Sequence, residues 1–472
     1  KRARLPDPSS ALPPVSGCVA DVRLEEIDFD FPEELIAQRP AEPRDSCRLL
    51  HLGPGGERAH LVFSELPNLL RPGDTLVFND SRVLPARVEA RKPTGGAVEV
   101  LFLHPRGGAG ASANEAEARP TGVGGMCGLS TADSIVSGPP GATAETWEVL
   151  ARPSHRLRPG QELLLPDGER LTLQRALGEG RWVIMGPPGR SLVAAMEPHG
   201  RMPLPPYIKT YPERPDSYQT VYARVPGSAA APTAGLHFTP RLLERLEEAG
   251  VRSAYVTLHV GVDTFLPIRE PVIEEHRIHQ ETYSVQPEAL RQIREAVASS
   301  RRLIAVGTTA TRVLETLART GALYNGAPGR PASSSAGPLT GSTGIYLTPG
   351  HRFRAVDALL TNFHLPRSSV LVLAMAFAGT ERLLEAYREA ISLRYRFFSF
   401  GDAMLIERPE VETNGVAGAG AARAAKPTTL SATDGATIRS AAPATGLTSG
   451  PGAAPAADLA PAAGGRGRDA HS

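Results

Sequence analysis

Histidines, hydroxyls, small residues and glycines gathered in short runs are the parts of this sequence that could do chemistry. The run 228–238, SAAAPTAGLHF, sets Thr233, Gly235 and His237 after a string of small residues. Such a backbone lets a ligand approach closely, with a hydroxyl and an imidazole beside it. The same run also fits a tight loop ahead of a helix capped by Thr239 with Pro240 in first position. The run 257–265, TLHVGVDTF, puts His259 at a strand end, followed by Gly261 and Thr264. An imidazole there suits acid/base work near neutral pH, or a structural hydrogen bond. In 303–312, LIAVGTTATR, a strand turns at Gly307 into a helix beginning with Thr308 and Thr309. The exposed amides of such a helix start suit an anion, although an ordinary turn has the same pattern. TNFHLP places Asn362 and His364 after an apolar strand.

Other candidates are thinner. The HxxH in EEHRIHQE (274–281) lacks the helical spacing of a zinc pair and a third ligand, so no metal is expected. YRFFSFGD combines Tyr395 and Arg396 with aromatics that could stack on a base, though aromatics this dense also form cores. Arg82 and Arg87 in NDSRVLPAR are of the right type for phosphates. Neither a GxxxxGK[ST] loop nor a GxGxxG fingerprint is present.

These residues need elements to hold them. From about 77 to 184, short alternating runs (RVEARK, AVEVLFL, TWEVLAR, QELLLP, LTLQRAL, RWVIMG) separated by Gly/Pro turns predict a small antiparallel sheet or barrel. From about 239 to 398, strands alternate with helices: PRLLERLEEAG, SAYVTLHV, PEALRQIREAVASS, RRLIAVG, TATRVLETLAR, ALLTNFHL and the stretch 381–392. That alternation predicts a parallel-rich α/β domain, whose ligands gather beyond the carboxyl ends of the strands. FDFPEELIAQRP belongs with it, which makes the β unit an insertion. The expected organisation is an extension at 1–20, an α/β domain of 21–76 and 200–407, an inserted β-barrel domain at 77–199, and a tail at 408–472. The extension and the tail are expected to be disordered. The stretches 105–143 and 326–342 read as loop-tip insertions, the first of them flexible.

Composition narrows the class. The chain of 472 residues holds 47 Gly and 44 Pro, more than is usual, with the excess concentrated in those tails and insertions. A net charge of +1 announces no nucleic-acid partner and leaves room for a local basic surface. Three cysteines without a CxxC pair point to a reduced compartment, the cytoplasm. The apolar run 369–379, SVLVLAMAFAG, is too short for a bilayer and reads as core, so no membrane is expected.

Taken in order, the segments FDFPEELIAQRP, RDSCRLL, LVFNDSRVLPARV, RMPLPPYI, YQTVYA, APTAGLHFT, TLHVGVDTFLPI, AVGTTATRVLE, ALLTNFHLP and YRFFSFGDAML, spread over 29–405, closely resemble the S-adenosylmethionine:tRNA ribosyltransferase-isomerases of queuosine biosynthesis. The resemblance implies an α/β domain interrupted by a small β-barrel. It also implies the reaction. The ribosyl group of S-adenosylmethionine is transferred and isomerised onto 7-aminomethyl-7-deazaguanine (preQ1) at the tRNA wobble position. Epoxyqueuosine forms, and adenine and methionine leave. S-adenosylmethionine is then a co-substrate, with no permanently bound cofactor and no metal, and tRNA is the partner of an expected monomer. Placed on these motifs, His237 or His259 does acid/base work. Thr308, Thr309 and the helix start behind Gly307 hold an anionic group. Thr233, Gly235, Gly261, Thr264, Asn362 and His364 complete the substrate site, and Arg82, Arg87, Tyr395 and Arg396 contact tRNA. The segment GSTGIYLTPGHRF departs from the family, with Ser342 and Gly344 where relatives often carry Trp and an acidic residue. Three rivals are an RNA methyltransferase using the same donor, a paralogue acting on another nucleoside, and a non-catalytic RNA-binding module. The methyltransferase would need a Gly-rich loop after its first strand, which is absent. The binding module would need no polar cluster at strand ends.

Overall fold

A computed structural model of the chain describes residues 22–106, 144–212, 214–261, 267–324 and 337–409. The expected extension at 1–20 and nearly all of the tail from 408 lie outside the described residues. So do 107–143 and 325–336, which make up most of the two expected insertions.

Period-two burial organises the larger part. In the strand Thr75–Asn79 every residue is buried, with Leu76 and Phe78 entering one core and Val77 the other. Leu303–Val306 and Ala358–Asn362 are likewise buried throughout, as expected of strands covered on both faces. They sit in a nine-stranded sheet ordered Leu339–Thr343, Glu281–Val285, Arg252–Leu258, Thr75–Asn79, Leu303–Val306, Ala358–Asn362, Ala403–Glu407, Arg48–Leu52 and Arg58–Val62. The four middle strands from Arg252–Leu258 to Ala358–Asn362 run parallel, so their carboxyl ends share one edge. Antiparallel pairs extend the sheet on both sides, except that Arg48–Leu52 joins Ala403–Glu407 in parallel.

Helices seal the faces, and their starts follow local rules. Pro240–Glu248 is capped by Thr239 Oγ1, which accepts from Leu242 N at 3.2 Å. Pro287–Ala298 opens on its proline. Ser369–Ala378, capped by Ser368, buries Leu371 to Met375, Phe377 and Ala378 and packs beside Thr380–Ser392, so the apolar run 369–379 is core. The segment FDFPEELIAQRP joins the same core through Leu35, with Phe29 against Tyr387 and Phe31 against Phe397.

The six alternating runs form a closed antiparallel barrel of Arg87–Arg91, Ala97–Arg106, Thr146–Arg152, Glu162–Leu164, Arg170–Gly178 and Arg181–Met185. Its interior is filled by Val88, Val100, Phe102, Trp147, Leu173, Trp182 and Ile184, and the short helix Leu192–Met196 plugs it. The chain enters and leaves through one doorway, where Arg87 N donates to Arg201 O at 3.1 Å and Arg201 N to Arg87 O at 2.8 Å.

Details differ from the sequence reading at edges. Thr75–Asn79, which a boundary at 77 would split, lies whole in the large sheet. The stretch expected to loop out at 105 is strand through Arg106, paired with Thr146. The last residues of the 326–342 insertion form the edge strand Leu339–Thr343, whose sequence LTGST carries little apolar signal.

Candidate active site at the carboxyl ends of the central strands

Strand order dictates where a site can form, and the shared carboxyl edge holds a cavity of about 720 Å³ including its open mouth. Its wall is built from Val260, Gly307 to Thr309, Thr361, Asn362, His364, Ala231 to Ala234, Tyr207, Phe398 and Ser399, with Leu365, Ser368 and Val370. Of the residues singled out from sequence, Thr233, Gly307, Thr308, Thr309, Asn362 and His364 meet here. Among the described residues no carboxylate and no Lys or Arg lines the cavity.

Asn79 clamps the floor. Its Oδ1 accepts from Leu258 N at 3.0 Å and Ser81 N at 3.2 Å, while Nδ2 donates to Leu258 O at 3.0 Å and Thr309 Oγ1 at 3.3 Å. The helix Gly307–Arg319 begins at the next strand end. Gly307 has φ +90°, a backbone that side chains disfavour, so glycine makes the strand-to-helix corner. The helix start, with its partial positive charge, therefore points into the cavity.

The far wall comes from the turn 395–402. Asp402, almost fully buried, accepts from Arg48 N, Arg48 Nε and Arg396 N at 3.0, 3.2 and 2.8 Å. Within that tightly held turn Phe398 takes φ +68°, an outlier for a bulky residue. Its ring meets Tyr207 at 4.7 Å, and the Tyr207 hydroxyl bonds Ser399 at 2.7 Å. Tyr207, Phe398 and Ser399 escaped the sequence reading, although PLPPYI and YRFFSFGD had marked their neighbourhoods.

The histidines divide. His364 lines the cavity, bonds Thr361 Oγ1 at 2.8 Å and is pushed down to about 3 by burial. His237 is not on the lining. It stands behind Asn362, with Nε2 2.9 Å from Asn362 Nδ2, Nδ1 3.2 Å from Cys47 Sγ, and its ring 5.1 Å from that of Phe63. Burial lowers it to about 4 and raises the Cys47 thiol. With both nitrogens engaged, His237 is not placed to take a proton from a ligand. His259 is likewise not on the lining: it precedes Val260 of the wall, with its ring packed over Gly227 and its Nδ1 buried without a partner. Burial lowers its pKa against the opposing charge of Asp80.

Other expected contacts fall elsewhere. Gly235 lies off the cavity under Tyr222, whose hydroxyl would be 1.8 Å from an added Cβ, so its smallness serves packing. Gly261 N donates to Glu281 Oε1 at 3.1 Å, and Thr264 lies outside the described residues. Tyr395, expected at tRNA, is 1% exposed; Arg48 covers its ring at 4.0 Å and its hydroxyl bonds His60 at 2.7 Å, so it offers no face to a base. Arg396 is tied to Asp402 while partly exposed, Arg87 pairs with Glu99, and Arg82 is exposed. His276 pairs with Glu270, and among the described residues no three His, Cys, Asp or Glu gather as a metal site. No described helix is long and apolar enough to cross a membrane.

A family model described as queuosine biosynthesis protein matches residues 24–406, which includes every element of the cavity. The chain belongs to that family. S-adenosylmethionine:tRNA ribosyltransferase-isomerase of Rubrobacter xylanophilus is 48% identical over 386 residues, covering 82% of this chain and 98% of the relative. The proteins of the same name from Anaeromyxobacter sp. (strain Fw109-5) and Moorella thermoacetica are 46% and 44% identical, each across 82% of this chain and all of the relative. A solved structure, an S-adenosylmethionine tRNA ribosyltransferase from Thermotoga maritima, aligns at 34% identity and TM-score 0.42, covering 81% of this chain and 99% of that one. Within the queuosine family member described here, the segments APTAGLHF, AVGTTATR, TNFHLP and FFSF thus converge on one cavity.

Proposed function

We propose that this chain transfers and isomerises the ribosyl group of S-adenosylmethionine onto preQ1 at the tRNA wobble position, giving epoxyqueuosine and releasing adenine and methionine. The observation that carries the reading is 48% identity, over nearly the full length of the relative, to a protein named for that activity. The cavity supports it with a positive helix end, a ring of hydroxyls and an aromatic wall.

The chemistry assigns work to each part. The sulfonium charge acidifies the 5′ carbon, so a base that removes this proton starts the reaction, and protonation eases the departure of adenine. His259 is the proposed base: lowered by burial, it is unprotonated at neutral pH, and its Nδ1 has no competing partner. The start of the helix at Gly307, Thr308 and Thr309 takes the methionine carboxylate, with Thr233 across the cavity. His364 completes the substrate contacts on the cavity wall. Arg82, Arg87 and Arg396 form part of the phosphate-binding surface. The donor is consumed, no methyl group moves, and no resident cofactor or metal is required. The working form is a cytoplasmic monomer.

The test is incubation of the protein with S-adenosylmethionine and preQ1-containing tRNA, followed by nucleoside mass spectrometry. Epoxyqueuosine with equimolar adenine is the expected result; unchanged preQ1 from folded protein removes the reading. In the same assay His259→Ala is expected to lose about 10²–10⁴-fold in kcat. Full activity of that variant would assign the base elsewhere.

A further inference from the structure

The side-chain amide of Asn362 has one permissible orientation. One of its ends lies 3.1 Å from the Phe398 carbonyl and 2.9 Å from His237 Nε2. A backbone carbonyl can only accept, so that end is Nδ2, and its second hydrogen goes to His237. His237 Nε2 is then an acceptor, and the single proton of the neutral ring sits on Nδ1, directed at Cys47 Sγ. What remains is Asn362 Oδ1, an acceptor without a protein partner on a side chain that is 2% exposed and lines the cavity. Buried acceptors are as a rule hydrogen-bonded, so an unmatched one on a cavity wall marks where a ligand donor belongs.

The surroundings select the donor. The ammonium of the methionine part travels with its own carboxylate to the helix start at Gly307, and the wall has no carboxylate among the described residues to pair a second charged donor at Asn362. A neutral amine on a flat ring needs no such pairing, and Tyr207, Phe398 and Leu365 supply apolar surface for the ring. We propose that Asn362 Oδ1 accepts from the exocyclic amine of the adenine of S-adenosylmethionine, and that His237, backed by Cys47, is a positioning residue that holds the amide in this orientation. The inference rests on the ribosyl-transfer reading, and it assigns the TAGLHF histidine to donor recognition rather than to proton transfer.

The experiment uses an S-adenosylmethionine analogue whose purine carries hydrogen in place of the amine. Wild-type protein is expected to bind it about tenfold more weakly than S-adenosylmethionine in calorimetry. Asn362→Ala should bind both donors alike, so that the two losses do not add. His237→Phe should raise KM for S-adenosylmethionine while kcat stays within a few-fold, and His237→Gln, which restores an acceptor, should recover much of the loss. Equal binding of the two donors by the wild type, or an undiminished tenfold difference in Asn362→Ala, overturns the proposal. Adenine release by the wild type is measured first. Its absence removes the ribosyl-transfer reading and this inference together, whereas normal release without coupling removes the inference alone.

Discussion

Asn79 Nδ2 donates to Thr309 Oγ1 across 3.3 Å, tying the end of the central strand to the first turn of the helix that faces the cavity. The same amide closes a ring of bonds with both backbone groups of Leu258, so one side chain fixes the spacing of two strand ends and a helix.

Replacing that amide should therefore loosen the site and the fold together. Asn79→Ala leaves buried donors and acceptors unmatched, at a cost of about 2–4 kcal/mol. Urea unfolding followed by circular dichroism measures it. A midpoint unchanged from wild type would mean that water or neighbouring groups replace the amide fully.

Acid should weaken the protein through its buried imidazoles. His237 is held down to about 4 and His364 to about 3, so the folded chain keeps them neutral while the unfolded chain protonates near 6.5. Stability from each is complete above about pH 6.5 and falls as pH drops toward the folded value, by up to about 1.4 kcal/mol per pH unit per histidine. Denaturant midpoints at pH 7, 6 and 5 should decline, and the slope should flatten in His237→Gln. An identical slope in that variant would contradict the assignment.

Crowding at Gly235 gives a sharper test. Gly235→Ala drives a methyl against Tyr222 Oη and Thr220 Cγ2, with an overpacking penalty of about 1–3 kcal/mol. The Tyr222 hydroxyl is buried without a partner, so Tyr222→Phe alone should be close to neutral. Combined, the two changes should melt at a higher temperature than Gly235→Ala alone. Additive losses would show that the hydroxyl is not the obstacle.

The buried pair of Glu281 and Arg312 holds the loops flanking the cavity edge. Glu281 accepts from Gly261 N, and Arg312 donates to the carbonyls of Thr343 and Ile345. Glu281→Gln strips the counter-charge from a buried guanidinium and should destabilise by about 3–5 kcal/mol, whereas Glu281→Leu with Arg312→Met should recover part of it. Thermal melts compare the three proteins. A double variant no better than the single would mean that the backbone contacts, not the charge, dominate.

Much of this architecture was legible because local pattern and burial agree. The six barrel strands alternate as RVEARK and TWEVLAR do, and LIAVGTTATR shows strand, corner and helix in succession. Convergence of Thr308, Asn362 and His364 on one cavity followed from their positions beyond strand ends, and Thr233 joins them from the small-residue run 228–238. Spacing could not reveal what each side chain meets. His237 lies behind the wall because Cys47, about two hundred residues earlier in the chain, takes its second nitrogen. Tyr395 is core because Arg48 and His60 close over it, and these are contacts between distant segments. The edge strand Leu339–Thr343 was hidden by its polar sequence, since an edge has less apolar surface to bury, and Glu281–Val285 beside it has the short mixed sequence ETYSV.

The paired bonds between Arg87 and Arg201 make the barrel a graft on a two-ply stem. Because its incoming and outgoing chains run side by side, excising it would leave two ends already within bonding distance and would take no strand from the large sheet.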